Sequence, residues 1–137
     1  MHIRTFMPED MSAVIDILQD LSAYRPAVES VPALAEAFVA QADCHACVAT
    51  QGGRVIAFGS IFILNRVRGG RSGIIEDVVV APDVRGQGVG RQLIDALVAA
   101  ARTRGCFKVS LEAAASAQAF YEAGGFHVGG QTMRVLL

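Results

Sequence analysis

The sequence has no tryptophan, a single lysine (Lys108) and only three cysteines in 137 residues. Each scarcity excludes something. Twelve cationic side chains stand against thirteen anionic ones, for a formal charge of −1. No basic excess exists to neutralise phosphates, which argues against a general nucleic-acid binder. The cysteines, Cys44, Cys47 and Cys106, form an odd set. Cys44 and Cys47 make a C-x-x-C around His45, but no second pair or His/Cys cluster completes a four-ligand shell. Residues three apart in a strand also point to opposite faces. The thiols read as reduced, buried or half-buried, with no metal, in a cytoplasmic setting. Met1-His2-Ile3-Arg4 opens no long apolar stretch, and no apolar run approaches a membrane span. A soluble, cytosolic protein without membrane contact is expected. His2, His45 and His127 show no ligand spacing.

What is present is ample core material. At 53% hydrophobic and 18% charged, the chain is too apolar for disorder, and its length fits one domain over residues 1–137. Ile3–Phe6 reads as a first strand. Pro8, Glu9 and Asp10 then start a helix whose stripe is Met11, Val14, Ile15, Leu18 and Leu21. A second helix covers Val31–Gln41, with Leu34, Phe38 and Ala37 inward. Strands follow at His45–Thr50 and Val55–Leu64, joined by a Gly52-Gly53 hairpin turn. The β-branched run Ser72–Ala81 is the next strand, and Pro82-Asp83 ends it. Gly88–Arg104 is the clearest helix, with Val89, Leu93, Ile94, Leu97, Val98 and Ala101 on one face and Gly105 as its terminator. Cys106–Glu112 is a strand and Ser116–Ala123 a short helix. Phe126–Gly129 and Thr132–Leu137 read as a closing hairpin. The order β-α-α-β-β-β-α-β-α-β-β predicts one α/β domain with a mixed sheet.

The chemistry concentrates in Arg85-Gly86-Gln87-Gly88-Val89-Gly90-Arg91, a glycine-rich turn between a strand and a helix. Such a turn aims backbone N–H groups and the positive end of a helix dipole at one spot, which suits an anion. Gly86, Gly88 and Gly90 let phosphates approach the main chain, while Arg85 and Arg91 add positive charge. The order G-x-G-x-G does not fit the dinucleotide fingerprint G-x-G-x-x-G, and no Gly-Lys-Ser/Thr marks a nucleotide P-loop.

Arg85-x-x-Gly88-x-Gly90, between a β-branched strand and a long helix, resembles the acetyl-CoA signature of the GNAT acetyltransferase superfamily. The later Phe120-Tyr121-Glu122-Ala123-Gly124-Gly125-Phe126 is similar to the family's second motif. The wording looks closest to glucosamine-6-phosphate N-acetyltransferases, in Ile75-Glu76-Asp77-Val78, in Gly105-Cys106-Phe107-Lys108 and in Met133 on the last strand. The resemblance implies a GNAT fold, with a mixed, mostly antiparallel sheet flanked by about four helices. It implies acetyl-CoA as donor, a primary amine on a small polar metabolite as acceptor, and a homodimer.

Acetyl transfer needs a neutral amine, a polarised thioester carbonyl and a protonated leaving thiolate. Glu76 is the candidate base, acting through water; a pair of strand-end acids tied to arginines is the plainer reading of Glu76-Asp77. Asp77 points to the other face if the strand is regular, whereas a bulge would change that. Tyr121 stands where the family places the acid for the coenzyme's sulfur, its phenol near pKa 10 being matched to a thiol near 8.5; otherwise it is a core tyrosine beside Phe120. The resemblance implies that Val78 and Val80 pair with the pantetheine arm and that amides from Arg85 to Arg91 hold the pyrophosphate. The family's asparagine before the Tyr helix is missing from Glu112-Ala113-Ala114-Ala115-Ser116-Ala117, so that contact is absent or falls to Ser116. Asp77 and Glu112, with Arg66, Arg68 and Arg71, are the acceptor-binding candidates; the arginines suit a phosphate or carboxylate, or else form a solvated hairpin tip. The family's basic residues beyond the methionine are replaced by Val135-Leu136-Leu137 after Arg134. Direct attack in a ternary complex is expected, with Cys106 the one nucleophile left open. Rival readings are a protein or peptide N-acetyltransferase of the same fold and a non-catalytic acyl-CoA-binding module.

Overall fold

The computed structural model describes every residue, 1–137. Strand β1 (His2–Thr5) pairs antiparallel with β2 (Cys44–Gln51), β2 with β3 (Arg54–Asn65), and β3 with β4 (Arg71–Val80). Strand β5 (Cys106–Leu111) joins β4 in parallel, giving a five-stranded sheet in the order β1-β2-β3-β4-β5. Four helices accompany it: α1 (Met11–Leu18), α2 (Val31–Val39), α3 (Val89–Thr103) and α4 (Gln118–Ala123). The mixed, mostly antiparallel sheet matches the expectation from the sequence. A parallel pair needs a long crossover, and α3 supplies it between β4 and β5.

Strand residues alternate between faces, and β2 shows the result. Ala46 and Val48 face a cluster with Phe6, Val14 and Phe58 beneath α1 and α2, where Phe6 stands edge-on to Phe38 at 5.4 Å and to Phe58 at 5.6 Å. Cys47 and Ala49 face the opposite cluster, built on α3. There Leu93, Ile94 and Leu97 are fully buried against the sheet. Each such aliphatic contributes about 1.5–3 kcal/mol, so α3 is the principal clamp on the core.

Three expectations need correction. Leu34 and Ala37 are exposed and Ala35 is buried instead, because α2 packs onto the turn Pro8–Asp10, where a small side chain permits close approach. Leu21 is also exposed, since α1 ends at Leu18. The closing hairpin does not form: residues 126–137 hold no strand, and beyond the Phe126 N–H, which donates to the Tyr121 carbonyl, no backbone hydrogen bond is made. A strand exists through its neighbour's backbone groups, and the tail meets none within the chain. Met133, Val135, Leu136 and Leu137 are left at least 80% exposed, while the sheet edge at β5 stays open. No helix is long and apolar enough to cross a membrane.

Candidate active site

Strand β4 ends at Val80, and a single turn, Pro82–Val84, leads into the glycine segment. Val84 is buried and anchors that turn in the core. Gly86 (φ 79°) and Gly88 (φ 82°) then adopt the left-handed conformation that other residues reach only with strain. Gly88 stands directly before α3, and no side chain caps that helix. The N–H groups of its first turn are therefore available to an outside acceptor, at the positive end of a fifteen-residue dipole. A Cβ at Gly86 or Gly88 would meet nothing within 4 Å, so the loop is open as well as pre-shaped. This arrangement fits a diphosphate such as the one in coenzyme A.

The flanking arginines have different partners. Arg85 donates through Nε to the Val80 carbonyl (3.2 Å) and pairs with Asp20 just past α1 (2.7 Å), fastening the loop to the fold. Arg91 turns toward α4, where it donates to the Phe120 carbonyl. Gln87 is exposed, and Val89 sends its side chain into the core. A Cβ at Gly90 would lie 3.4 Å from the Phe120 ring and 3.5 Å from Val80, so the start of α3, the end of β4 and α4 meet there.

A bulge interrupts β4. Its register with β3 runs from Phe58 opposite Val79 to Ser60 opposite Glu76, so Gly59 alone faces both Asp77 and Val78. Asp77 takes φ 55°, the one non-glycine residue in the left-handed region. In a regular strand one of two consecutive carboxylates would enter the core. Here Glu76 and Asp77 are both exposed.

The bulge coincides with a split in the sheet. The β4–β5 ladder ends at Ile75 opposite Leu111, leaving Glu76–Val80 without a partner on that side. Val78 and Val80 are half-buried along this free edge. Parallel register sets Glu112 level with Glu76, so Glu76, Asp77 and Glu112 give the mouth of the split an acidic rim; Arg134 of the tail engages Glu112. Ser116 lies exposed in the turn Ala115–Ala117 before α4. Tyr121 of α4 is half-buried, edge-on to Phe120 at 5.0 Å and to Phe126 at 5.8 Å. Burial raises its phenol above the usual value and nearby Arg91 partly opposes this, so the hydroxyl keeps its proton at neutral pH.

The arginine cluster lies elsewhere. Arg66 and Arg68 flank a small hollow with Phe107 at the β3–β4 turn, at the opposite end of β4 from the glycine loop, roughly 30 Å along the strand. Arg71 is occupied by the Asn65 side chain, the Arg104 carbonyl and Asp43. Cys106 pairs with Arg71 at that same end, away from the mouth. Cys47 is buried, its thiol pushed up to about 11 by burial, and Cys44 is half-buried and raised for the same reason. Sequence reasoning missed the partners that position the site: Asp20 on Arg85, Arg91 on Phe120, and the β3 residues opposite the bulge. No local pattern marks them.

Residues 13–126 match the acetyltransferase (GNAT) family. The chain is 42% identical over 85 residues to a glucosamine 6-phosphate N-acetyltransferase of Trypanosoma brucei brucei, covering 61% of this chain and 58% of the relative. It is 36% identical over 84 residues to a probable glucosamine 6-phosphate N-acetyltransferase of Oryza sativa subsp. japonica, covering 60% and 51%. The chain thus spans about half the length of these curated relatives. Among solved structures, an acetyltransferase of Trypanosoma brucei superposes with a TM-score of 0.90 at 31% identity over 99% of both chains. The glucosamine-6-phosphate N-acetyltransferase of Arabidopsis thaliana gives 0.89 at 26% identity, over 98% of this chain and 97% of that one. The glycine loop, the split between β4 and β5 and these likenesses agree: the chain belongs to the acetyltransferase (GNAT) family.

Proposed function

We propose that residues 1–137 work as one domain, an acetyl-CoA-dependent N-acetyltransferase for a primary amine on a small polar metabolite, with glucosamine 6-phosphate the leading acceptor. The uncapped start of α3 behind Gly86 and Gly88, opening onto the split between β4 and β5, carries this reading. The relatives named as glucosamine 6-phosphate N-acetyltransferases support the choice of acceptor.

In this reading the amides from Gly86 to Arg91 hold the pyrophosphate, and the free edge of β4 at Val78 and Val80 receives the pantetheine arm. Acetyl-CoA supplies a thioester carbonyl open to attack. Glu76, on the acidic rim, takes the ammonium proton through a water, and the rim itself draws in a cationic amine. Tyr121 keeps its proton to give to the leaving sulfur. Attack is direct, since no thiol stands at the mouth. A phosphate on the acceptor finds Arg134 beside Glu112, whereas Arg66, Arg68 and Arg71 lie a strand's length away within one copy.

We further infer a cytoplasmic homodimer. Its free thiols suit a reducing compartment, and the exposed apolar tail beside the open β5 edge suits strand addition by a second copy. An acceptor on a peptide is the second reading, favoured by the exposed, acidic mouth. Thiol release from acetyl-CoA, followed across amino sugar phosphates, polyamines, aminoalkyl phosphonates and peptides, tests the donor and both acceptor readings. Turnover with glucosamine 6-phosphate above the other amines is the expected result. Donor binding with no turnover on any amine would leave only a non-catalytic acyl-CoA-binding module.

A further inference from the structure

The bulge that exposes Glu76 and Asp77 is held from the neighbouring strand. Ser60 of β3 is 1% exposed, and its hydroxyl donates to the Glu76 carbonyl at 3.0 Å. That carbonyl and the Asp77 N–H belong to one peptide plane, which is rigid because the peptide bond is planar. Fixing one end of the plane fixes the other. It therefore sets the ψ of Glu76 and the φ of Asp77 together.

The plane has an alternative. Rotating it by half a turn carries Asp77 from φ 55° to the extended region near −125°, which any residue adopts. The flip would relieve the left-handed strain at Asp77 and would reverse the direction of its N–H. The Ser60 hydroxyl opposes it, because the flip carries off the carbonyl to which its proton is given and leaves a buried O–H without an acceptor, even where Oγ takes up the N–H.

Gly59 supplies the second half of the device. It is the single β3 residue opposite Asp77 and Val78, and a Cβ there would lie 3.0 Å from Leu97, 3.3 Å from Leu93 and 3.4 Å from Val78. Both leucines are fully buried. The missing side chain lets Leu93 and Leu97 of α3 and Val78 of the bulged strand converge on one point of β3, so the bulge sits tightly packed there.

We infer that Gly59 and Ser60 are positioning residues that lock the Glu76–Asp77 peptide plane, and with it the carboxylates and amides at the mouth of the split. The lock is a property of the fold, and its catalytic consequence rests on the acetyl-transfer reading above. Neither residue touches a substrate.

The test uses Ser60→Ala and Ser60→Thr in the full chain, with two readouts. The NMR coupling between the Asp77 amide and α protons reports φ without any substrate. In Ser60→Ala it is expected to shift from the left-handed toward the extended value, while Ser60→Thr keeps the wild-type value. In parallel, kcat is expected to fall about 10- to 100-fold in Ser60→Ala, with the acetyl-CoA KM unchanged and recovery in Ser60→Thr. An unmoved Asp77 coupling in Ser60→Ala overturns the lock. A moved coupling with unchanged kcat overturns the positioning role. If the wild-type protein transfers no acetyl group to any amine, the functional reading fails, and the coupling still decides the lock.

Discussion

Arg91 of α3 donates from Nη2 to the main-chain oxygen of Phe120 in α4 at 2.5 Å, and its guanidinium carbon lies 4.6 Å from the centre of that ring. Gly124 leaves the room for it, since a Cβ there would fall 1.7 Å from Nη1. The glycine-rich start of α3 and the helix that carries Tyr121 are thereby tied together. Nη1 is buried without a partner, which offsets part of the gain. Arg91→Ala is expected to cost about 1 kcal/mol of stability and to lower kcat about tenfold by loosening Tyr121. Lysine will not restore it, because a point charge lacks the planar fork that donates and stacks at once. Thermal unfolding and steady-state kinetics on both variants check this.

Tyr121→Phe keeps the ring packing against Phe120 and Phe126 and removes only the hydroxyl. Loss of a positioned acid predicts a kcat lower by about 10²-fold or more, with acetyl-CoA affinity nearly intact. Burial raises the phenol, and a raised acid stays protonated to higher pH. Wild-type kcat is therefore expected to show no loss traceable to Tyr121 below about pH 10. An unchanged rate in Tyr121→Phe removes it from the mechanism.

Gly88→Ala meets no neighbour, so its whole effect is the left-handed backbone at φ 82°. The strain is about 1–2 kcal/mol. Relaxing it turns the amides at the start of α3 away from the place proposed for the diphosphate. The acetyl-CoA KM should rise roughly tenfold while kcat holds, and calorimetry with coenzyme A should show the same weakening.

Asp10 is buried, accepts both arms of Arg4 at 2.7 and 2.9 Å, and takes the Met7 N–H at 2.8 Å. The hydrogen bonds from Arg4, ahead of that from Met7, hold its carboxyl below the usual aspartate value despite burial. A depressed carboxyl stabilises the fold above its unfolded value, about 3.9, and the contribution is lost as pH falls through the folded value. Arg4 is partly exposed, so the effect is discounted to about 1–2 kcal/mol. Asp10→Asn should lose that much stability at pH 7, read as a lower Tm, and flatten the acid limb below about pH 4.

The tail gives the fifth test. Val135 is 80% exposed, so a charge there costs nothing within one copy. Val135→Asp should leave Tm of the isolated chain unchanged and shift sedimentation from dimer to monomer. A wild-type protein that sediments only as a monomer at micromolar concentration ends the dimer proposal.

Much of this architecture was legible in the sequence where one element carries its own signal. The stripe Val89, Leu93, Ile94, Leu97, Val98 and Ala101 predicted the inward face of α3, with Val98 alone only half-buried, because a helix repeats every few residues whatever it packs on. The β-branched run into Pro82 fixed β4 to within a residue at each end. What escaped depends on partners. Ala35 replaced Leu34 in the core because α2 packs onto a turn that only the folded chain provides. The bulge could be named only as a condition, since Asp77 lacks the glycine that usually marks positive φ, and its cause sits on another strand at Gly59 and Ser60. The tail has a strand's composition and no strand beside it.

Strands β2, β3 and β4 form a meander of neighbouring hairpins, whereas β5 reaches β4 only after the chain has crossed over through α3. Such non-local pairing is slow to form, because its loop must close first. The split is thus a seam, one wall assembled locally and the other arriving from a distance. A donor spanning both walls, as proposed above, would act as a clasp on that seam. Its occupancy should be felt chiefly as a slower rate of opening, so that the donor-loaded protein resists proteolysis better than its bare stability implies.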